Sequence, residues 1–262
     1  MAKGAAIKFE SYEKTIPKIL RFIHLPEEIK KYDKIVLKPK LNSLNPEDSQ
    51  NTNVKLIEQV LLFCLEHKNP VSEVFIAEGA DGFDTSDLFE ELGYRDLAEK
   101  YNVGLVDLNN ADVEGIRSKH FLKFDNIPYP KILKDSFVIS IPAFTRHEEY
   151  EMSASLPNML GAFSSKYYSG FFSLSKNKIR KHPIKFSIHD IIRCKMPDMA
   201  IIDASKEGYI FAGIPFEMDK QIAKLIDKHW EDVEYLSLID ESFLNEEEDA
   251  LEEEDYLELE DY

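Results

Sequence analysis

With 262 residues, 44% of them hydrophobic, the chain has material for one large core or two small ones, and no run nears the roughly eighteen apolar residues of a membrane-spanning helix. The net charge of −17 is uneven: twelve acidic and no basic residues fall between Glu241 and Tyr262, leaving a body of 37 acidic and 32 basic residues near −5. A nearly neutral body with an acidic tail argues against a nucleic-acid binder, whose affinity rests on clustered Lys and Arg, and no membrane partner is expected.

The N-terminus, "MAKGAAIKFESYEK", has no apolar core of the kind a secretory leader needs, so a cytoplasmic protein is expected. Apolar runs predict strands over 5–9 and 34–41. A helix follows in "NVKLIEQVLLFCLEHK", with Val54, Ile57, Leu61 and Leu65 on one face and Asn51 or Asn53 as N-cap. A strand over 73–79 precedes a second helical stretch, "TSDLFEELGYRDLAEKYN", which Asp84 or Thr85 would cap and Gly93 would interrupt. Strands over 103–109 and 137–142 bracket an irregular segment, 112–136. A second irregular segment, 164–186, leads to a helix over 188–195. The remaining elements are a strand over 199–204, weaker strands over 209–214 and 233–239, and a helix over 216–230. Residues 241–262 are too charged to fold alone and are expected to form a disordered acidic tail. The two cysteines, Cys64 and Cys194, make neither a disulfide framework nor an iron–sulfur site, which needs about four thiolates.

The interior strands are continuously apolar rather than alternating, as strands buried on both faces are. Strand and helix alternate. The expected fold is therefore a doubly wound α/β domain over 1–240, with a mostly parallel sheet covered by helices on both faces. Ligands of such sheets sit beyond the carboxyl ends of the strands. There the chain releases Lys38 and Lys40, then Glu78 and Asp81, Asp107, Arg146 and His147, and Asp203.

The segments "IVLKPKLN", "VFIAEGADGFDT…GYRDLAEKYNVGLVDLN", "SFVISIPAFTRH…MSASLPNMLGA" and "PDMAIIDA…AGIPFEMDKQIAKLI", in that order, resemble the DUF362 family from about Lys34 to Leu225. The resemblance implies this fold and a strand-end site rather than a reaction. It also marks a divergent member. The family's ferredoxin-like cysteine segment has no counterpart here. Its Pro-Lys-x-Lys-Thr-His pattern keeps Pro142 and His147 but has Ala143 and Thr145 at the lysine positions. Asn158 and Gly161 match, while Pro157 stands for a further lysine and Lys40 for an asparagine. The Gly-rich loop expected after Asp203 is shortened to "SKEGYIFAG". A ligand site with exchanged cations is implied, with Arg146 replacing part of the lost charge.

Taken singly, the candidates divide into working and bland readings. His147 beside Glu148, Glu149 and Glu151 has no metal-ligand spacing, so no metal is assigned, and a solvated loop is the alternative to an acid/base role. His189 and Asp190 would meet His147 across the crevice, or else cap a helix. "AEGADGFDT" lacks a phosphate-loop pattern and reads as a turn. The basic cluster "KNKIRKHPIK" would be a solvated face, a lid over an anionic ligand, or a dock for the acidic tail. The reading is a small, anionic ligand oriented by Lys38, Glu78, Asp107, Arg146 and Asn158, with His147, His189 and Asp203 as acid/base candidates; catalysis and cofactor are left open. The alternative is a non-catalytic scaffold that holds a protein partner through its tail.

Overall fold

The computed structural model describes residues 4–243. A seven-stranded sheet is its centre. In chain order the sheet takes β1 (Gly4–Lys8), β2 (Lys34–Pro39), β3 (Glu73–Glu78) and β4 (Gly104–Asp107). A separate antiparallel ribbon, β5 (Val113–Ile116) with β6 (Ile127–Pro130), follows. The chain then returns to the sheet as β7 (Phe137–Ile141), makes a second ribbon of β8 (Thr145–His147) and β9 (Glu151–Ser153), and closes the sheet with β10 (Met199–Ala204) and β11 (Tyr209–Gly213).

The strand order is β1-β11-β10-β7-β2-β3-β4. The five strands from β10 to β4 are parallel; β11 and β1 add an antiparallel margin. The order of strand addition reverses between β2 and β7: β3 and β4 build outward on one side, β7 and β10 on the other. That reversal is where an open α/β sheet leaves a crevice.

Helices cover both faces. Ile35, Leu37, Ile76 and Ile139 pack with α1 (Tyr12–Phe22), α2 (Leu25–Ile29), α3 (Val54–His67), α4 (Thr85–Glu91) and α5 (Tyr94–Tyr101). Val36, Ala77, Val138 and Ile202 face the other core. The short turns α6 (Lys131–Lys134) and α7 (Ser165–Tyr168), with α8 (Ile184–Cys194) and α9 (Pro215–Leu225), lie on that side. Double burial explains the uninterrupted apolar runs. Local signals also act as read: the Asn53 side chain accepts from the Lys55 N–H and the Asp84 side chain from the Ser86 N–H. Gly93 takes φ 77° and separates α4 from α5.

Two expectations need correction, and one helix lies where no element was expected. Residues 234–243 are helical, not a strand. Val233, Leu236 and Ile239 recur every third residue and are buried, so a helix stripe was hidden inside a short apolar run. Residues 12–22 form a helix despite the internal Pro17. The segment 112–136 holds a two-stranded ribbon and a helical turn. Of the acidic tail expected over 241–262, residues 241–243 belong to the helix over 234–243, and those from 244 onward lie outside the described residues.

Asp219 on α9 fixes the approach to the crevice. Its carboxylate accepts from the Ser155 N–H at 2.8 Å, the Leu156 N–H at 3.0 Å and the Tyr235 hydroxyl at 3.0 Å. It is fully buried and holds the turn that leads into Asn158. Asp219→Ala would strand two buried N–H groups, each costing about 1–3 kcal/mol. A loss of about 3 kcal/mol is expected in a denaturant titration. Asp219→Asn, which keeps one acceptor oxygen, should lose less.

Candidate functional site

A cavity of about 210 Å³ opens beyond the carboxyl ends of β2, β3 and β7. Lys40 and Asn42 reach it from β2, Glu78, Gly79 and Asp81 from β3, and His147, Tyr150 and Ser153 from the β8–β9 ribbon; Asn158, Gly161 and Arg180 complete much of the lining.

Its floor is an ion pair. Lys38 is fully buried, and its Nζ donates to Glu78 Oε2 at 2.7 Å and to Asn158 Oδ1 at 3.3 Å. The other Glu78 oxygen accepts from the Gly79 N–H at 2.9 Å. Asn158 Nδ2 donates to the Lys38 carbonyl at 3.1 Å and to Ser140 Oγ at 3.0 Å, tying β2 to β7. Two glycines permit this closeness. A Cβ on Gly161 would lie 2.4 Å from Glu78 Oε1 and 2.6 Å from Lys38 Nζ; one on Gly79 would lie 2.4 Å from the Gly161 carbonyl oxygen. The Gly161 match to the family pattern thus has a steric cause.

Above the floor, charge is in excess. Lys40 stands two residues beyond Lys38, so both side chains leave the same face of the extended chain. Lys40 is buried, yet its Nζ reaches only the Ser153 hydroxyl, at 2.8 Å. Ser153 Oγ donates its own proton to the Ala143 carbonyl at 3.1 Å. Burial, helped by neighbouring Lys38, pushes the Lys40 pKa down to about 8 against the pull of Glu78. Lys176 comes from the basic cluster and is also buried. Its Nζ donates to the carbonyls of Gly79 at 2.7 Å and Gly161 at 3.1 Å, and burial lowers it to about 8. Arg180, one turn later, bonds Asp81 at 2.7 Å and Glu149 at 3.2 Å. In direct contact, these four cations meet three carboxylates, Glu78, Asp81 and Glu149, while Asp48 and Asp107 act on Lys40 and Lys176 from further off.

His147 is half-buried and stacks on Tyr150 with 3.6 Å between ring centroids. Burial, then Lys40 and Arg180, lower its pKa to about 4, so it is neutral at pH 7. Its Nδ1 accepts from the Glu149 N–H at 3.2 Å, leaving Nε2 to carry the ring proton. It is a neutral donor in a cationic wall.

The sequence candidates separate in space. Lys38, Glu78, His147 and Asn158 come together here. Arg146 is exposed on the ribbon and lies outside the cavity lining, since successive strand residues alternate in direction. Asp107 lies at the β4 end outside the lining, where it accepts from Asn109 N–H and Asn110 Nδ2. Asp203 lines a neighbouring cavity of about 230 Å³ and accepts from the Tyr12 hydroxyl at 2.7 Å. The segment between β2 and α3 runs between the two cavities, giving Gln50 to the first and Asp48 to the second.

His189 does not reach His147. It is fully buried in α8, with Nδ1 at 2.7 Å from Asp190 and Nε2 at 2.8 Å from Ser242. Asp190 is no helix cap either: it receives the N–H groups of Leu122, Lys123 and Phe124 and pins that loop. The pair is a buried structural polar network. Lys40 reads from the sequence as a strand-end residue but is left out of the ligand set, and Lys176 and Arg180 lie in the cluster read as a solvated face, a lid or a dock. The alternation from Lys38 would have found Lys40; only the fold brings the basic cluster over the crevice. Among the described residues, no three His, Cys, Asp or Glu side chains group as a metal site, and no helix is long and apolar enough to cross a membrane.

These features define a mostly parallel α/β protein with a polar, cation-rich crevice at the switch point of its sheet. The chain belongs to the DUF362 family, a domain of unknown function, whose family model matches residues 35–221. A solved structure, the lactate racemase apoprotein from Thermoanaerobacterium thermosaccharolyticum, is similar in fold, with a TM-score of 0.56 and 14% sequence identity; the match covers 84% of this chain and 56% of that one. The chain thus spans little more than half that protein's length, and the likeness concerns the fold alone. No curated protein matches this sequence.

Proposed function

We propose that the protein binds a small oxyanion, a carboxylate or phosphate compound, in the crevice beyond β2, β3 and β7. One observation carries this reading: Lys40 is buried at the cavity wall with only a hydroxyl as partner. Desolvating a cation without a carboxylate is unfavourable, and an arriving anion would supply the missing charge. Arg180, Asn42, Gln50 and the neutral His147 also line the cavity as donors, while Lys38 and Lys176 raise the potential from behind. The cations lost from the family pattern after β7 are made up by Lys40 and by the segment that carries Lys176 and Arg180.

The test is calorimetric titration with inorganic phosphate across pH. The Lys40 ammonium holds the anion, and its pKa in the free protein is about 8. Binding should therefore be strong below pH 8 and weaken as pH rises through that value, the midpoint moving upward as ligand stabilises the ammonium. Phosphate becomes more negative, not less, as pH rises, so the decline reports the protein. Affinity that does not change between pH 7 and pH 10 would remove Lys40 from the site.

A further inference from the structure

We infer that Lys40 is a nucleophile, poised to form an imine with the carbonyl carbon of a small 2-oxo acid whose carboxylate is held by the same cavity. The inference rests on the anion-site reading above and adds a covalent step to it. Two geometric facts support it. Lys40 is the lining residue whose Nζ bonds a neutral hydroxyl; Lys38 beneath it is bound to Glu78, and Lys176 is committed to two backbone carbonyls. A neutral amine at this place would keep one N–H on Ser153 and leave its lone pair unused. Arg180 lines the same cavity with Nε on Glu149 and Nη1 on Asp81, which leaves Nη2 for a carboxylate while Lys40 is uncharged. Burial is what favours the free amine here at moderate pH; Lys38 adds to it, while Glu78 and Asp48 oppose it.

The step balances without oxidant or reductant. The Nζ lone pair forms a C–N bond to the carbonyl carbon, and one amine proton moves to the oxygen to give a carbinolamine. The C–O bond then breaks, the hydroxyl leaves with the second amine proton as water, and a C=N bond remains. His147, neutral and with its proton on Nε2, lines the same wall as a hydrogen-bond donor to the departing oxygen.

The experiment uses the full chain, pyruvate as probe, and borohydride to reduce any imine to a stable amine, read by peptide mass spectrometry. The expected result is one dominant adduct on Lys40, with trapping that increases as pH rises through about 8, opposite in direction to phosphate binding. Trapping should fall at least tenfold in Lys40→Arg, which retains a cation, and should be suppressed in the wild type by excess phosphate. If phosphate binds with the predicted pH dependence but Lys40 stays unmodified, or if label spreads over surface lysines without preference, the covalent inference fails and the anion site stands. If neither phosphate nor pyruvate engages the cavity, both fail together.

Discussion

Glu78→Gln is expected to destabilise the protein by about 3–5 kcal/mol, the usual result of removing one partner from a buried ion pair. Lys38 has no exposed surface, and its remaining contacts are the Asn158 amide oxygen and the Pro39 carbonyl. It cannot swing to water. In the variant it would shed its proton, since burial already lowers its pKa and the opposing pull of Glu78 would be gone. The sign of the pH dependence follows. The unfolded chain keeps Lys38 protonated up to about pH 10.4, so the unfolded state of the variant binds more protons than the folded state at neutral and mildly alkaline pH. Its stability should rise with pH there, and the deficit against wild type should shrink. Adding Lys38→Met should recover most of the loss. Urea titrations of the three proteins at two pH values measure all of this. A Glu78→Gln protein as stable as wild type would mean that the ion pair is not the floor of the site.

Lys40→Met should act in the opposite sense. It removes a charge-assisted hydrogen bond to the anion, worth about 1.5–3 kcal/mol, and so weakens binding by roughly 10- to 150-fold. It also removes a desolvated ammonium that no carboxylate compensates in the free protein. Stability in the absence of ligand should therefore hold or rise, as expected where a function keeps a residue that packing alone would not choose. Loss of binding with gain of stability is a combination that a purely structural lysine would not give. The outcome against the account would be destabilisation with unchanged phosphate affinity.

How much of this could be read from the sequence depends on the range of the interactions. The inner strands of the parallel sheet are legible because both of their faces are buried, so each announces itself as an apolar run. Asn53, Asp84 and Gly93 are legible because capping and left-handed backbone are local. The helix over Tyr12–Phe22 is masked by Pro17, and the stretch from Val233 is too short for a period of two to be told from a period of three. The site divides in the same way. Lys38, Glu78, His147 and Asn158 sit at strand ends or in a motif and were named. Lys40 was seen but not placed, although its spacing from Lys38 sets both on one face. Lys176 and Arg180 lie in a cluster that looks like any solvated basic loop, and nothing within ten residues of it reveals that it folds over Gly79 and Gly161. His189 and Asp190 mislead for the converse reason: a catalytic pair and a buried pair that pins a loop have the same composition.

The central claim is that the crevice beyond β2, β3 and β7 is an anion site. A crystal structure of the protein grown with selenate, with the anomalous signal of selenium used to place the anion, tests it most directly. The account predicts a peak in the cavity whose oxygens lie about 2.7–3.2 Å from Lys40 Nζ and an Arg180 nitrogen, and no such peak in Lys40→Met. Selenate bound only at the surface of the wild type, with the cavity free of it, would contradict the account.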